Sequence, residues 1–363
     1  MKLDSSPKTL VFPKDVKPSK KIFRVRGAFN PAAVRLPNNK IMLFARVAET
    51  PYHDDKTFVA PRFVGTKDLE WKIERISRKK MTLCPDCFLM DENITRLPTI
   101  SHFRRIILDK SGEQVEHISD VPNFFGVRGD GDFGVEDARI SAIDNGSRYA
   151  MTYVSVSIDS GVSTSLATSN NLSSWKRHGV IFRQQNKDVV IFPKKFGKYY
   201  AALHRPEGTM VFDRPSIWIS YSKDLLFWGK DRPLIKPRHK AWDGLRIGSG
   251  TVPIKTSEGW LEIYHGVKLS KHSDPDSHKV YSAGALLFDS KNPEKLLGRT
   301  HPKDPLFEAE LDSEMKGFND HVVFPTAMVP SLDKKNLLVY GGGADSVTTM
   351  RKLSVKAVLN SLK

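Results

Sequence analysis

Five times along this chain a hydrophobic run is followed by a tight polar turn and a second run rich in β-branched and aromatic residues. The five are Ala33–Leu36 to Phe44–Arg46, Ala138–Ser141 to Met151–Tyr153, Val190–Pro193 to Leu203–Arg205, Thr251–Ile254 to Ile263–His265, and Val323–Thr326 to Leu338–Tyr340. The turns between them are Pro37-Asn38-Asn39-Lys40, Asp144-Asn145-Gly146, Phe196-Gly197-Lys198, Ser257-Glu258-Gly259 and Asp333-Lys334-Lys335-Asn336. Each phrase reads as a β-hairpin. A hairpin repeated at one scale is the signature of radial β architecture, in which each unit buries its face against the next. Five such units predict an all-β chain folded as a five-bladed β-propeller. That architecture gathers residues distant in sequence around one axial pocket.

A second, weaker repeat supports the same reading. Thr66–Trp71, Ser169–Trp175 and Ser222–Trp228 share a polar pair, Asp or Asn, Leu and then Trp. Each is expected as a turn between outer strands of a blade, with its Trp packed between blades. Residues 1 to about 28 read as an arm rich in Lys and Pro. The stretch from about 49 to 132 is long and irregular, with a strand expected at Arg105–Leu108. The tail Ser346–Leu362 carries the one helix-like pattern of more than about three turns. No Pro/Gly linker divides the chain, so residues 1–363 are expected to form one domain with an N-terminal arm and a long insertion around 49–132.

Composition removes several function classes. No apolar run approaches the roughly 18 residues of a membrane helix, so no membrane partner is expected. Met1-Lys2-Leu3-Asp4-Ser5-Ser6-Pro7 has no apolar signal-peptide core, which points to a cytoplasmic protein. Cys84 and Cys87 form a lone C-x-x-C with no second pair or His cluster to complete a zinc site, and read as reduced thiols in a loop. No metal or cofactor is expected. The formal charge of +16 invites a nucleic-acid reading. Its basic residues are scattered, however, without an aromatic-interleaved motif. A solvated basic surface that assists an anionic substrate fits better.

Loops entering the innermost strands of a propeller face its axial pocket. The polar residues flanking the five hairpins are therefore candidates: Asn30, Glu136, Asp137, Lys187, Asp188, Arg246, Ser249 and His321 before them, and Arg46, Tyr153, His204, Arg205, His265 and Asp345 after them. Buried charge is costly unless paired, so a converging ring of acids and bases marks a site for a polar ligand rich in hydroxyls.

Gly134–Ile140, Phe192–Lys195, Leu203–Pro206, Gly259–Val267 and Tyr340–Asp345 together resemble motifs of glycoside hydrolase family 130. The resemblance runs from about Asn30 to Asp345. It implies a five-bladed propeller acting on β-mannosides, either as an inverting β-mannosidase or as a β-mannoside phosphorylase. It also implies that Asp137 is the general acid, acting through a hydroxyl of the bound mannose. Asn30, Arg46, Arg139, Asp188, His204, Arg205, Tyr264, His265 and Asp345 match substrate-binding positions. Lys187, His204 and Arg205 match positions that would hold phosphate. The implied ligand is a small oligosaccharide, with inorganic phosphate as co-substrate only in a phosphorylase. Oligomeric state is not readable from the sequence.

Water or phosphate as acceptor is the open choice. Where phosphorylases that this chain resembles carry an Arg before the Leu-Ala-Thr-Ser run, this chain has Ser163, and Ala138 stands where Pro is commoner. Losing one cation weakens an anion site by about 1–3 kcal/mol. A hydrolase needs a base carboxylate, for which Glu207 and Glu262 are candidates, roughly 6.5–9.5 Å from the acid. The expectation is therefore exo-hydrolysis of β-1,2-linked mannosides. A phosphorylase giving α-mannose 1-phosphate is the first alternative and a non-catalytic binding propeller the second.

Overall fold

The computed structural model describes residues 6–52, 57–84, 87–90, 94–207, 212–269 and 279–362, with the side chains of 83, 84 and 87–90 outside the description. The chain is nearly all-β. Four of the five predicted hairpins are continuous antiparallel pairs: Phe23–Arg35 with Ile41–Pro51, Gly134–Ile143 with Arg148–Ser157, Asn186–Ile191 with Tyr200–Pro206, and Val323–Pro330 with Asn336–Gly343. In the remaining one the first run is broken. Arg246–Gly248 and Ile254–Lys255 both pair with Trp260–Leu269, and Ser249–Pro253 leaves the strand between them.

Each hairpin extends into an antiparallel group of four strands, or five where the first run is broken. Ile100–Leu108 and Val115–Ile118 add to the first pair, and Gly161–Ser169 and Lys176–Phe182 to the second. Ile217–Ser222 and Trp228–Ile235 add to the third, and Lys279–Phe288 and Leu296–Arg299 to the fourth. A single parallel bridge, Gly134 to Ser101, ties the first group to the second. The fifth group is completed by Val347–Ser354 and then by Lys8–Val11 from the other end of the chain. Strands near the start of each group are buried on both faces: Ile41–Pro51 has one partly exposed position. The outermost strands face water, as the exposed run in Trp228–Ile235 shows.

The apolar faces meet between groups, in sequence order. Phe44 and Phe103 pack with Ile140 and Met151. Ile143 and Leu166 pack with Ile191 and Tyr200. Phe192 and Ile219 pack with Tyr264 and Leu286. Leu261 and Ile263 pack with Val339 and Leu353. Leu338 and Tyr340 return to Leu43 and Ile106 of the first group. Backbone and side-chain bonds close the same junction: Ala28 N donates to the Ser346 carbonyl, and Thr348 Oγ1 to that of Ala28.

The Trp repeat is a real turn device in two of its three copies. In Ser169–Trp175 and Ser222–Trp228, the Ser hydroxyl and the Asn171 or Asp224 side chain accept backbone N–H groups of the turn. Trp175 stacks on Phe44 of the neighbouring group, and Trp228 packs on Phe182. The third copy departs from expectation. Thr66–Trp71 joins Thr57–Phe63 to Trp71–Ser77, a two-stranded sheet outside the five groups, where Trp71 packs on Phe23 and Phe63. The segment 49–132 is less irregular than its composition predicts. Its Arg105–Leu108 strand is the end of Ile100–Leu108, and a three-stranded sheet follows the two-stranded one. Cys84 and Cys87 end paired strands rather than sitting in an open loop, and their thiols lie outside the described residues. The expected tail helix is Val355–Asn360 alone, because Val347–Ser354 pairs as a strand with Asn336–Gly343.

The short helix Asp312–Met315 is held by one buried ion pair. Arg351 donates to both oxygens of Glu314, at 2.6 and 2.7 Å, with neither residue exposed. Removing one partner strands a buried charge. Glu314→Ala is expected to lower unfolding free energy by about 3–5 kcal/mol in a denaturant titration.

Candidate functional site

A cavity of about 730 Å³ opens where the first strands of the groups begin. One local device recurs there. In the first three hairpins the register slips by one residue, between Phe29 and Ala32, Glu136 and Arg139, and Lys187 and Val190. In each slip a residue takes the left-handed conformation: Asn30 at φ 47°, Asp137 at φ 49° and Asp188 at φ 57°. A bulge of this kind re-aims a side chain out of the sheet, and Asn and Asp tolerate the conformation best. All three line the cavity.

Asp137 is fixed on one oxygen. Its Oδ1 accepts from Asn30 Nδ2 at 2.9 Å and Arg46 NH1 at 3.2 Å. Its other oxygen has no partner among the described residues. Arg46 also donates to Glu136 Oε1 at 2.7 Å and to Ser101 Oγ at 3.0 Å, and lies over the Phe29 ring. Burial works against its charge, but Glu136, Asp137 and Asp345 outweigh burial and raise its pKa. Asn319 donates to Asp345 Oδ2 at 2.6 Å, at the cavity wall.

Asp188, Arg205 and His265 form a second cluster, all nearly inaccessible. Asp188 is ion-paired with Arg205, and its Oδ2 lies 3.4 Å from His265 Nε2. Arg205 NH1 donates to that same nitrogen at 3.0 Å, which puts the imidazole proton on Nδ1. Burial, then Arg205, Arg139 and Arg246, hold the His265 pKa well below its ordinary value, so the ring is neutral. Gly248 makes the cluster possible: a methyl there would lie 2.2 Å from Asp188 Oδ2 and 2.4 Å from Arg205 NH1. Lys187 and Arg246 also line the cavity, and neither is ion-paired with a carboxylate among the described residues. Arg246 instead donates to the Tyr281 hydroxyl.

The structure thus brings Asn30, Arg46, Asp137, Lys187, Asp188, Arg205, His265 and Asp345 to one cavity. Arg246 and Glu136 reach it too, whereas eight other expected residues do not line it: Arg139, Tyr153, His204, Glu207, Ser249, Glu262, Tyr264 and His321. Tyr153 is core, its hydroxyl donating to Asp130 at 2.6 Å. Arg139 lies behind, donating to the carbonyls of Asp137 and Gly250 at 2.7 Å each. Tyr264 is core, its hydroxyl bonded to Asp243 at 2.7 Å. His204 stacks on Phe182 between Asn186 and Ser220, and burial lowers its pKa to about 4, so it carries no charge for an anion. Glu207 accepts from Arg205 Nε at 2.7 Å and supports that guanidinium. Glu262 is fully buried, with Oε1 accepting from Gly250 N at 3.2 Å, and burial raises its pKa to about 8. A neutral acid sealed from the cavity cannot activate water. Glu136 at the cavity is the expected neighbour of Asp137, whereas Tyr281, Asn319, residues 94–97 and Thr99 line it without having been expected, because they sit in runs with no motif.

Glu262 carries a pH signature. The folded protein keeps its proton up to about pH 8, against an ordinary value of 4.5. Between these values the folded state holds one proton more than the unfolded chain, so stability falls as pH rises. Glu262→Gln is expected to flatten the decline in melting temperature over that range, and to keep turnover within about tenfold of the parent, a smaller loss than removal of a catalytic base brings.

Asp137, held by Asn30 and Arg46, thus faces a polar cavity where Lys187 and Arg246 have no carboxylate partner among the described residues, an arrangement suited to a ligand rich in hydroxyls on an all-β scaffold. A family model described as beta-1,4-mannooligosaccharide phosphorylase matches residues 99–363. A beta-1,2-mannobiose phosphorylase of Listeria innocua is 34% identical over 369 residues, covering 98% of this chain and 96% of the relative. A 1,2-beta-oligomannan phosphorylase of Thermoanaerobacter sp. is 37% identical over 227 residues, 62% of this chain and 70% of the relative. The crystal structure of the Listeria innocua beta-1,2-mannobiose phosphorylase in complex with beta-1,2-mannobiose superposes with a TM-score of 0.84 at 33% identity, covering 97% of this chain and 96% of the other. This chain belongs to glycoside hydrolase family 130.

Proposed function

We propose that this chain is an inverting β-mannoside phosphorylase that splits β-1,2-linked mannosides with inorganic phosphate, on a five-bladed β-propeller. The propeller reading is supported by five antiparallel groups whose apolar faces meet in order, the fifth returning to the first. The observation that carries the activity is the presence on one cavity of Asp137, held by Arg46, and of two cations, Lys187 and Arg246, that have no carboxylate partner among the described residues. Phosphate needs cationic donors, and neither carboxylate expected to activate water lines the cavity: Glu207 is engaged by Arg205 and Glu262 is buried against Gly250. The preference for water expected from the sequence therefore gives way. Ser163 does not argue against phosphate: it is buried, and its hydroxyl donates to the Ser160 carbonyl at 2.5 Å.

In this reading a phosphate oxygen bonds to the anomeric carbon of the terminal mannose as the glycosidic carbon–oxygen bond breaks. The leaving sugar oxygen takes a proton that originates on Asp137 and passes through a mannose hydroxyl. Attack on the face opposite the leaving group converts the β-linkage into α-mannose 1-phosphate. Asn30, Arg46 and Asp345 hold the mannose that undergoes attack. Arg205, kept charged by Asp188 and Glu207 against burial, joins Lys187 and Arg246 on phosphate.

Two measurements test the reading. β-1,2-Mannobiose cleavage is expected to require phosphate and to yield mannose 1-phosphate, whereas free mannose at an equal rate without phosphate would establish hydrolysis. Asp137→Asn is expected to lower kcat by about 10²-fold or more with melting temperature unchanged. Near-normal turnover in that variant would remove Asp137 from the acid role.

A further inference from the structure

One side of the cavity is built by a segment that belongs to none of the five groups. Thr95–Arg96 is the last strand of the small three-stranded sheet, and Arg96 reaches the cavity from it. Its guanidinium is tethered rather than free. Arg96 Nε donates to Glu74 Oε2 at 2.9 Å, and the other Glu74 oxygen is ion-paired with Arg62 at 3.0 Å. Arg96 NH1 donates to the carbonyl of Thr95 at 3.1 Å. The remaining nitrogen, NH2, has no partner among the described residues. The guanidinium lies over the Phe133 ring, 5.8 Å from its centre, and Phe133 lines the same cavity.

The position of this pair relative to the chemistry follows from the chain. Phe133 immediately precedes Gly134–Ile143, the strand whose bulge presents Asp137. Lys187 and Arg246 arrive from the third and fourth groups. In an inverting displacement the proton donor serves the departing oxygen and the nucleophile enters from the opposite face. A surface beside the acid's strand therefore faces the departing sugar, not phosphate. A planar guanidinium fork suits adjacent sugar hydroxyls, and the buried Phe133 ring beneath it holds that fork in place at the cavity wall.

We infer that Arg96 and Phe133 form the surface that binds the sugar on the leaving side, with Glu74 as the residue that positions Arg96. Arg96 is thus a specificity-determining residue for the acceptor that the enzyme extends in the reverse direction. The inference rests on the phosphorylase reading for the direction of the reaction, but not for the contact itself.

The test measures both directions with the parent enzyme and the Arg96→Ala, Arg96→Lys, Phe133→Leu and Glu74→Gln variants. Synthesis from mannose 1-phosphate, with mannose or β-1,2-mannobiose as acceptor, gives the acceptor KM. Phosphorolysis of β-1,2-mannobiose gives the phosphate KM. Arg96→Ala is expected to raise the acceptor KM about tenfold or more while phosphate and mannose 1-phosphate KM stay within about twofold. Arg96→Lys and Glu74→Gln are expected to give smaller rises in the same parameter, which a purely structural lesion would not confine to the acceptor. An unchanged acceptor KM, or an equal rise for phosphate, overturns the inference. If the parent releases mannose without phosphate, the phosphorylase reading fails separately. The contact is then read from the β-1,2-mannobiose KM, which Arg96→Ala raises if the inference holds and leaves unchanged if it does not.

Discussion

Three non-glycine residues, Asn30, Asp137 and Asp188, are held in left-handed backbone at the same point of three successive hairpins. Such a conformation costs of order 1–3 kcal/mol for a non-glycine residue and persists only where surrounding structure imposes it. Here the imposing structure is the ladder on either side of each bulge, which resumes pairing after one extra residue. The site depends on this constraint. Without the bulge, each polar side chain would continue the in-and-out alternation of its strand and enter an apolar junction between groups. With it, three independent sheets aim oxygen and nitrogen atoms at one volume.

Charge balance then divides that volume. Carboxylates outnumber their needs around Arg46, and the arginine is kept ionised against burial. Around Lys187 and Arg246 the balance is reversed, and positive charge is left facing the cavity. Arg205 stands between these regimes, tied to Asp188 and Glu207 while touching a neutral His265. Burial first, and then the charge of Arg205 itself, keep that ring neutral, which preserves its capacity to accept from Arg205. The result is a cavity with one acidic and one basic region, built from side chains far apart in sequence.

The hairpins were legible because their alternation and turn residues are local signals, and the residues flanking the first strands were legible for the same reason. Asp137, Asn30 and Asp188 stand where a repeat places them. What could not be read was which face each neighbour turns to. Glu262 and Tyr264 lie on the strand that carries His265, but burial on both faces makes every position of that strand look alike in sequence. His204 adjoins Arg205 and points the other way, into Phe182. Arg96 and its Glu74 tether were invisible because their contact joins two small sheets with no periodic partner elsewhere in the chain. The tail beyond Ser346 misled for a related reason: Val347, Met350 and Leu353 fall at the three-residue spacing of a helix, while the strand they form is buried on both faces over its first five residues and shows no alternation there.

The fifth group is woven from both ends of the described chain, with Lys8–Val11 lying against Val347–Ser354. Asn30 and Asp345, which share the cavity, sit on either side of that seam. Closing a loop of such length carries a large entropic cost before any contact rewards it, and topologies ruled by distant pairings assemble slowly. Strands up to the fourth group carry Asn30, Arg46 and Asp137, but Asp345 follows Asn336–Gly343. The lining of the cavity is therefore complete only when the fifth group docks on the first, so the last contacts to form are the ones that shape the site.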